Sequence, residues 1–355
     1  MNFSLRHFLP VLMLTLAACT VPTLTPQTIG PAIGPEEEVF VATTRARNDV
    51  GDFSSMRGDQ TSYLTVPVRF PTNYSPGDRA KIEKAPDPAE DFSVGAPVTM
   101  DRSGFRQSLT SAVAAEPRGS RDVTIYVHGY YNVFYSGVFR SAQLKRDFDL
   151  PGEVVHFAWP SRGSNTAYAY DRESVLYSRD SLEALIRDSV RVGADRVTIV
   201  AHSLGAMLVM ETLRQIEISQ PGWVHDNIDG LAFVAPDIDV EVFKSQAARF
   251  ERLPEDFVIF VSNQDRVLML ASRLQGVKRR LGNTSDVEVT TEGNLTIVDV
   301  TSMTQDARSG HFVPATSPAA IQILRNSSAF RALFPREGLG QPIGGNVRLF
   351  QLSGN

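Results

Sequence analysis

Cysteine is all but missing from this chain of 355 residues: there is one, Cys19. A single cysteine excludes a disulfide within the chain, and one so near the N-terminal end makes a poor catalytic thiol. The signatures of metal and phosphate chemistry are missing too. The sequence holds no H-E-x-x-H pair, no phosphate-cradling P-loop and no dinucleotide fingerprint, so no cofactor or metal is expected. Basic residues are neither in excess nor clustered. Thirty-five Lys and Arg face 40 Asp and Glu, for a net charge of −5, which leaves no electrostatic footprint for nucleic acid. No segment repeats. The N-terminal apolar run, residues 8–18, is too short to cross a bilayer comfortably as a helix.

What is present begins with that run. Arg6 precedes it and small residues end it, the charge–apolar–small order of a secretory signal. Its end, Leu16-Ala17-Ala18-Cys19, resembles the bacterial lipobox, whose cysteine is lipidated and becomes N-terminal on cleavage. Residues 1–18 are therefore expected to be a lipoprotein signal peptide with Cys19 as the lipidated residue. Residues 19–38, punctuated by Pro22, Pro26, Pro31 and Pro35, cannot supply a packed face and read as a flexible tether. Residue 20 is Thr rather than Asp, which by resemblance to lipoprotein sorting in bacteria with two membranes favours the outer one. The expected location is the bacterial cell envelope, attached to the membrane through the lipid.

The whole chain is 42% hydrophobic and 21% charged, ordinary for a globular protein with a core of its own. Short apolar runs at 39–43, 63–68, 123–127, 154–159, 197–200, 231–234, 258–261 and 295–300 read as strands. Helical periods at 137–148, 172–192, 206–218, 240–250 and 267–281 lie between them, and the polar, proline-containing stretch 84–101 reads as a surface connection. Strand–helix alternation implies parallel pairing with helices on both faces of one sheet. Continuously apolar strands are what such a doubly covered sheet requires. The expected fold class is α/β, a mostly parallel central sheet with helices on both faces, in one domain over 39–330, with a Gly- and Pro-rich peripheral tail at 331–355.

Polar clusters gather where those strands end, the place where ligands bind in open α/β sheets. Ala201-His202-Ser203-Leu204-Gly205 follows a strand and opens a helix, the setting of a nucleophile elbow that holds a serine above the sheet on a strained turn. Ala201 departs from the G-x-S-x-G pattern by one methyl group. A serine nucleophile needs a base and an acid to orient it, in the chain order Ser, Asp or Glu, His. Of six histidines, His7 lies in the signal, and His128, His156 and His202 precede the serine. His225 lies beside the Pro221-Gly222 turn, away from any strand's carboxyl end. His311 remains as the base. Asp265, after the strand preceding the histidine loop, is the expected acid. Asp237 is the alternative, with Asp239 close behind, and Asp237 could instead cap a helix. An oxyanion needs two N–H donors. Leu204 is the expected first, and Tyr130, with Tyr131 next, the expected second. Aromatic residues Tyr130, Tyr131, Phe134, Tyr135, Trp159, Tyr168 and Tyr170 crowd the same edge, and those that line a pocket would take an apolar acyl or alcohol group.

Together these motifs resemble a family of bacterial α/β hydrolases classed as domain of unknown function 900, related to lipases and esterases. The likeness runs over about residues 39–330. It rests on Val39-Phe40-Val41-Ala42-Thr43-Thr44-Arg45, Val127-His128-Gly129-Tyr130, Trp159-Pro160-Ser161, the Ser203 motif, Ala235-Pro236-Asp237 and Gly310-His311. It implies a hydrolase fold and a Ser-Asp-His triad but no natural substrate. The family more often carries Asn directly after the aromatic where this chain has Tyr131-Asn132, which leaves the second donor open. The expected activity is hydrolysis of a small-molecule or lipid-like ester through an acyl-enzyme. An amidase, thioesterase or acyltransferase would use the same triad, and an inactive scaffold serving as a surface binding lipoprotein belongs to another class altogether.

Overall fold

The computed structural model describes residues 34–49, 51–78, 86–164, 166–265, 268–269, 279–284, 295–301, 318–326, 330, 333 and 348–351. Cys19, His311 and most of the expected helix 267–281 lie outside the described residues.

Each of the eight apolar runs forms a strand. They are β1 (Glu36–Arg47), β2 (Phe53–Arg69), β5 (Asp122–Val127), β6 (Glu153–Ala158), β7 (Arg196–His202), β8 (Gly230–Val234), β9 (Asp256–Val261) and β10 (Leu295–Asp299). The expected helices over 137–148, 172–192, 206–218 and 240–250 are α2 (Phe134–Phe148), α3 (Tyr168–Val190), α4 (Leu204–Ser219) and α6 (Val240–Ala247). Short α5 (Trp223–Asn227) follows α4, and α7 (Pro318–Arg325) lies beyond β10.

The 84–101 connection is a correction. It contains β3 (Ser93–Val94) and β4 (Val98–Met100), which both pair antiparallel with β2. Next comes a helix absent from the strand-and-helix reading, α1 (Arg102–Ala115), capped by Asp101, whose carboxylate accepts the Gly104 amide at 2.7 Å. The stretch 331–355, expected to be peripheral, supplies a buried Leu333 and an edge strand, β11 (Arg348–Gln351), parallel to β10.

Among the described residues the strands form one sheet in the order β11-β10-β9-β8-β7-β5-β6-β1-β2-β3. From β1 across to β11 every pairing among the described residues is parallel, and the antiparallel pairings are those of β2 with β1, β3 and β4. Alternate side chains of each strand feed opposite faces. Val123, Ile125 and Val127 of β5 join Phe105, Leu109, Leu182 and Leu208 in the core under α1, α3, α4 and α6. Tyr126 points the other way, to the cluster that α2 and α7 close with Phe148, Ile321 and Leu324. The sheet is thus covered on both faces, as its apolar strands require.

Strand order fixes where a site can form. The chain passes from β5 outward to β6, then returns past β5 to β7, so the direction of winding reverses between β5 and β7. Their connections leave on opposite faces, and a crevice opens at the carboxyl ends of these two strands.

Candidate active site

Ser203 stands at that crevice. It follows β7 and precedes α4 with φ 50° and ψ −121°, a conformation that a residue with a Cβ adopts only under constraint. The constraint is visible in the backbone. The Ser203 N–H donates to the Val234 carbonyl at 3.0 Å, and its own carbonyl accepts the amides of Ala206 (3.0 Å) and Asp237 (3.1 Å). The turn is bolted to the end of β8 on both sides, and the serine is 2% exposed.

Close approach of backbones explains the small residues around it. A Cβ on Gly205 would press into the carbonyl oxygens of His128 and Val127. One on Gly129 would sit 2.6 Å from His202 Nδ1 and 2.8 Å from the Ser203 Cβ. The loop after β5 therefore lies directly against the nucleophile turn. Ala201 is tolerated because it faces Val127 and Phe233 in register within the sheet. Its methyl is simply core.

Amide accounting narrows the possible anion donors. Among the described residues neither the Leu204 nor the Tyr130 amide has a hydrogen-bond partner. Leu204 opens α4, where N–H groups are left over and the helix dipole favours negative charge. Tyr131 stands at φ 61°, and its amide is among the groups that hold down the buried Asp171 carboxyl against the rise that burial causes. Asn132 N–H donates to Ser161 Oγ at 3.1 Å.

The aromatic edge divides. Phe134 and Tyr135 belong to the core beneath α2. Trp159 is buried, stacked on His128 with ring centroids 4.9 Å apart, and its indole N–H donates to the His128 carbonyl at 2.7 Å. His128 itself sits with each ring nitrogen about a hydrogen-bond length from a carbonyl, Gly129 at 2.9 Å and Trp159 at 3.0 Å. Burial holds it well below the usual histidine range, and it stands as a post behind the loop. The other aromatics stay nearer the surface. Tyr130 and Tyr168 meet edge to face at 5.3 Å, and the Tyr130 hydroxyl, pushed up to about 12 by burial, donates to the Ser164 carbonyl at 2.8 Å. Tyr170 lies beneath Arg162, and Tyr131 is 48% exposed.

The two aspartates stand at the ends of successive strands. Asp237, one strand from Ser203, accepts the Tyr168 hydroxyl at 2.6 Å and faces Arg280 at 3.3 Å, both side chains 3% exposed. It caps no helix. That role falls to Asp239, which accepts the Glu241 and Val242 amides at the head of α6. Asp265 lies after β9, fully buried, and accepts the Leu268 amide at 3.0 Å. The structure thus brings together Ser203, Leu204, Gly129, Tyr130 and the backbone of Asp237, with Asp265 at the end of the second strand along. His311 lies outside the described residues.

Arg45, Ser161 and Asp171, which hold the β5 loop from behind, were not singled out from the sequence. Arg45 and Ser161 did stand within motifs. Asp171 gave no signal, since an acid in the first turn of a helix is ordinarily a solvated partner of the dipole.

The profile of a family described as alpha/beta hydrolase of unknown function (DUF900) matches residues 103–327. No curated protein matches the chain by sequence. Among solved structures the chain is similar to a thermophilic esterase, Est2, of the planctomycete Thermogutta terrifontis. The identity is 8% and the TM-score 0.34, over 78% of this chain and 91% of that one. It is also similar to a gene product of Listeria innocua, at 12% identity and TM-score 0.31, over 65% of this chain and 98% of that one.

Proposed function

The chain belongs to the α/β hydrolases of unknown function, DUF900, and within that family we propose that it is a serine hydrolase cleaving carboxylic esters through an acyl-enzyme. The observation that carries this reading is Ser203, held at φ 50° where β7 meets α4, with the Leu204 and Tyr130 amides nearby that have no partner among the described residues. Strain of that kind persists only where the surroundings impose it, and it clusters at working residues.

In this proposal Ser203 Oγ attacks the ester carbonyl while His311, from the segment between β10 and α7, takes its proton. Asp265 orients the imidazole and stabilises it when charged. The oxyanion is received by the N–H groups of Leu204 and Tyr130. His311 then returns the proton to the leaving alcohol, and water, activated in the same way, releases the acid. The Tyr130–Tyr168 edge offers an apolar wall for a small-molecule or lipid-like ester. Asp265, buried after β9, precedes the strand that leads to His311, and that place in the chain supports it over Asp237, which is tied to Arg280 and Tyr168.

The test is labelling by a fluorophosphonate, which phosphonylates an activated serine with loss of fluoride, alongside hydrolysis of a short-chain aryl ester. Wild type should label and turn over, and Ser203→Ala should do neither, with a loss in kcat of roughly 10⁴–10⁶-fold. Turnover retained in folded Ser203→Ala would overturn the proposal.

A further inference from the structure

The β5 loop is gripped by two buried charges. Arg45, in β1 and 2% exposed, donates through Nη2 to the Asn132 carbonyl at 2.8 Å. Through Nη1 it donates to the carbonyls of Ser161 at 3.1 Å and Ser54 at 3.2 Å. Asp171, fully buried at the head of α3, accepts the Ser161 hydroxyl at 2.5 Å and the Arg162 amide at 2.9 Å. Ser161 links the two, since its carbonyl faces the guanidinium and its Oγ stands between the Asp171 carboxylate and the Asn132 amide.

Taking two charges out of water is expensive, and an isolated surface loop needs no such apparatus to hold its shape. Here the donors of one charge and the acceptors of the other converge on a single short run. Asn132 N–H and Asn132 C=O are both taken, while among the described residues the Tyr130 amide, two positions before, has no partner. Burial lowers Arg45 to about 10, so it remains charged at neutral pH. Its fork reaches segments from β2, the β5 loop and the β6 loop at once, which a point charge on a lysine cannot reproduce.

We propose that Arg45 and Asp171, coupled through Ser161, are positioning residues that turn the Tyr131–Asn132 peptide groups away from the crevice and so aim the Tyr130 N–H at the acyl oxygen of a substrate on Ser203. This rests on the reading of Ser203 as nucleophile. An amide aimed at the oxyanion acts on the transition state more than on the bound ester. Loss of the grip therefore lowers kcat with little change in KM, and weakens a boronic acid that forms a tetrahedral adduct with the serine. A role confined to stability would lower Tm and the fraction of active molecules but leave kcat per active site intact.

The experiment uses the full chain with Arg45→Met, Arg45→Lys, Asp171→Asn and the milder Ser161→Ala. Active sites are counted by exhaustive fluorophosphonate labelling, kcat and KM are measured on an aryl ester, and boronic acid affinity is determined in parallel. Arg45→Met should lose on the order of 10²-fold in kcat per site, the scale of one oxyanion donor, with Arg45→Lys recovering part of it. Asp171→Asn and Ser161→Ala should lose less, and boronate affinity should fall in step with kcat. Should the charged-site variants fail to fold, Ser161→Ala carries the test, since it removes one hydroxyl and no charge. Ser161→Ala and Arg45→Lys with wild-type kcat per site and wild-type boronate affinity would overturn the positioning role alone. Wild type that neither labels nor turns over would overturn the nucleophile reading and this inference with it.

Discussion

Two buried aspartates stand at the ends of the two strands next along from Ser203, and their places make distinct predictions. Asp237 carries the Tyr168 hydroxyl and faces Arg280, with both partners of the pair almost fully buried. Neutralising it leaves Arg280 in low dielectric without its counter-charge, which typically costs about 3–5 kcal/mol. Asp265 is buried at the end of β9 with one oxygen accepting the Leu268 amide. If it orients His311, Asp265→Asn keeps the shape but favours the wrong tautomer, with about 10⁴-fold lower kcat in the protease precedent. The expected outcome is a division: Asp265→Asn folded and nearly inactive, Asp237→Asn clearly less stable with much of its kcat retained. Thermal melts and aryl-ester kinetics on the two proteins check it. A larger kcat loss in Asp237→Asn, at equal stability, would move the acid one strand earlier.

Elements were more legible than their attachments. Strands β5 to β10 announce themselves as apolar β-branched or aromatic runs because both faces of the sheet are covered, and α2, α3, α4 and α6 by period. α1 did not, since Phe105, Leu109 and Val113 are its only buried positions in a polar stretch. β3 and β4, two and three residues long, owe their existence to backbone pairing with β2 rather than to any side-chain pattern. Ser203 and Gly205 were legible because strand, turn and helix all had to be present around them. The Arg45–Ser161–Asp171 clamp was not, because its bonds go to backbone carbonyls and amides of segments far apart in sequence, which leave no spacing to detect. The opposite end of the sheet carries a different electrostatic load. Asp122 opens β5 opposite Arg196 and is raised to about 6, mainly by burial, with Asp195 and Asp229 adding repulsion. A carboxyl group raised in the folded state contributes stability that is complete below the unfolded value near 3.8 and is lost as pH climbs through about 6. Asp122→Asn should therefore melt close to wild type near pH 4 and higher than wild type at pH 8. The gain is on the order of 1 kcal/mol after screening, or about 2 °C. Equal melting temperatures for the two proteins at pH 8 would contradict it.

At the scale of the whole molecule, the direction of β1 relates the N-terminal segment to the site. β1 runs parallel to β6, and through it to β5 and β7. Glu36 thus enters the sheet at the end opposite the one where Ser203 stands. We propose that Cys19 carries a lipid and that the following proline-punctuated residues tether the domain to a membrane of the bacterial envelope. Among the described residues no helix is long and apolar enough to cross a membrane, and in this proposal attachment comes from the acyl chains, each buried CH₂ contributing about 0.8 kcal/mol. An anchor entering from the far end leaves the crevice turned toward solvent and takes no part in its geometry. Cys19→Ser should accordingly be found unprocessed or released from the membrane fraction, while the purified domain turns over a soluble aryl ester with the kcat and KM of wild type. Labelling with an alkynyl fatty acid, followed by fractionation of the two proteins, measures the first part, and ester kinetics in detergent the second. A Cys19→Ser protein that is processed, labelled and fractionated like wild type would refute the anchor. One that is released but also loses kcat would mean that the N-terminal segment reaches the site, contrary to the entry point that β1 sets.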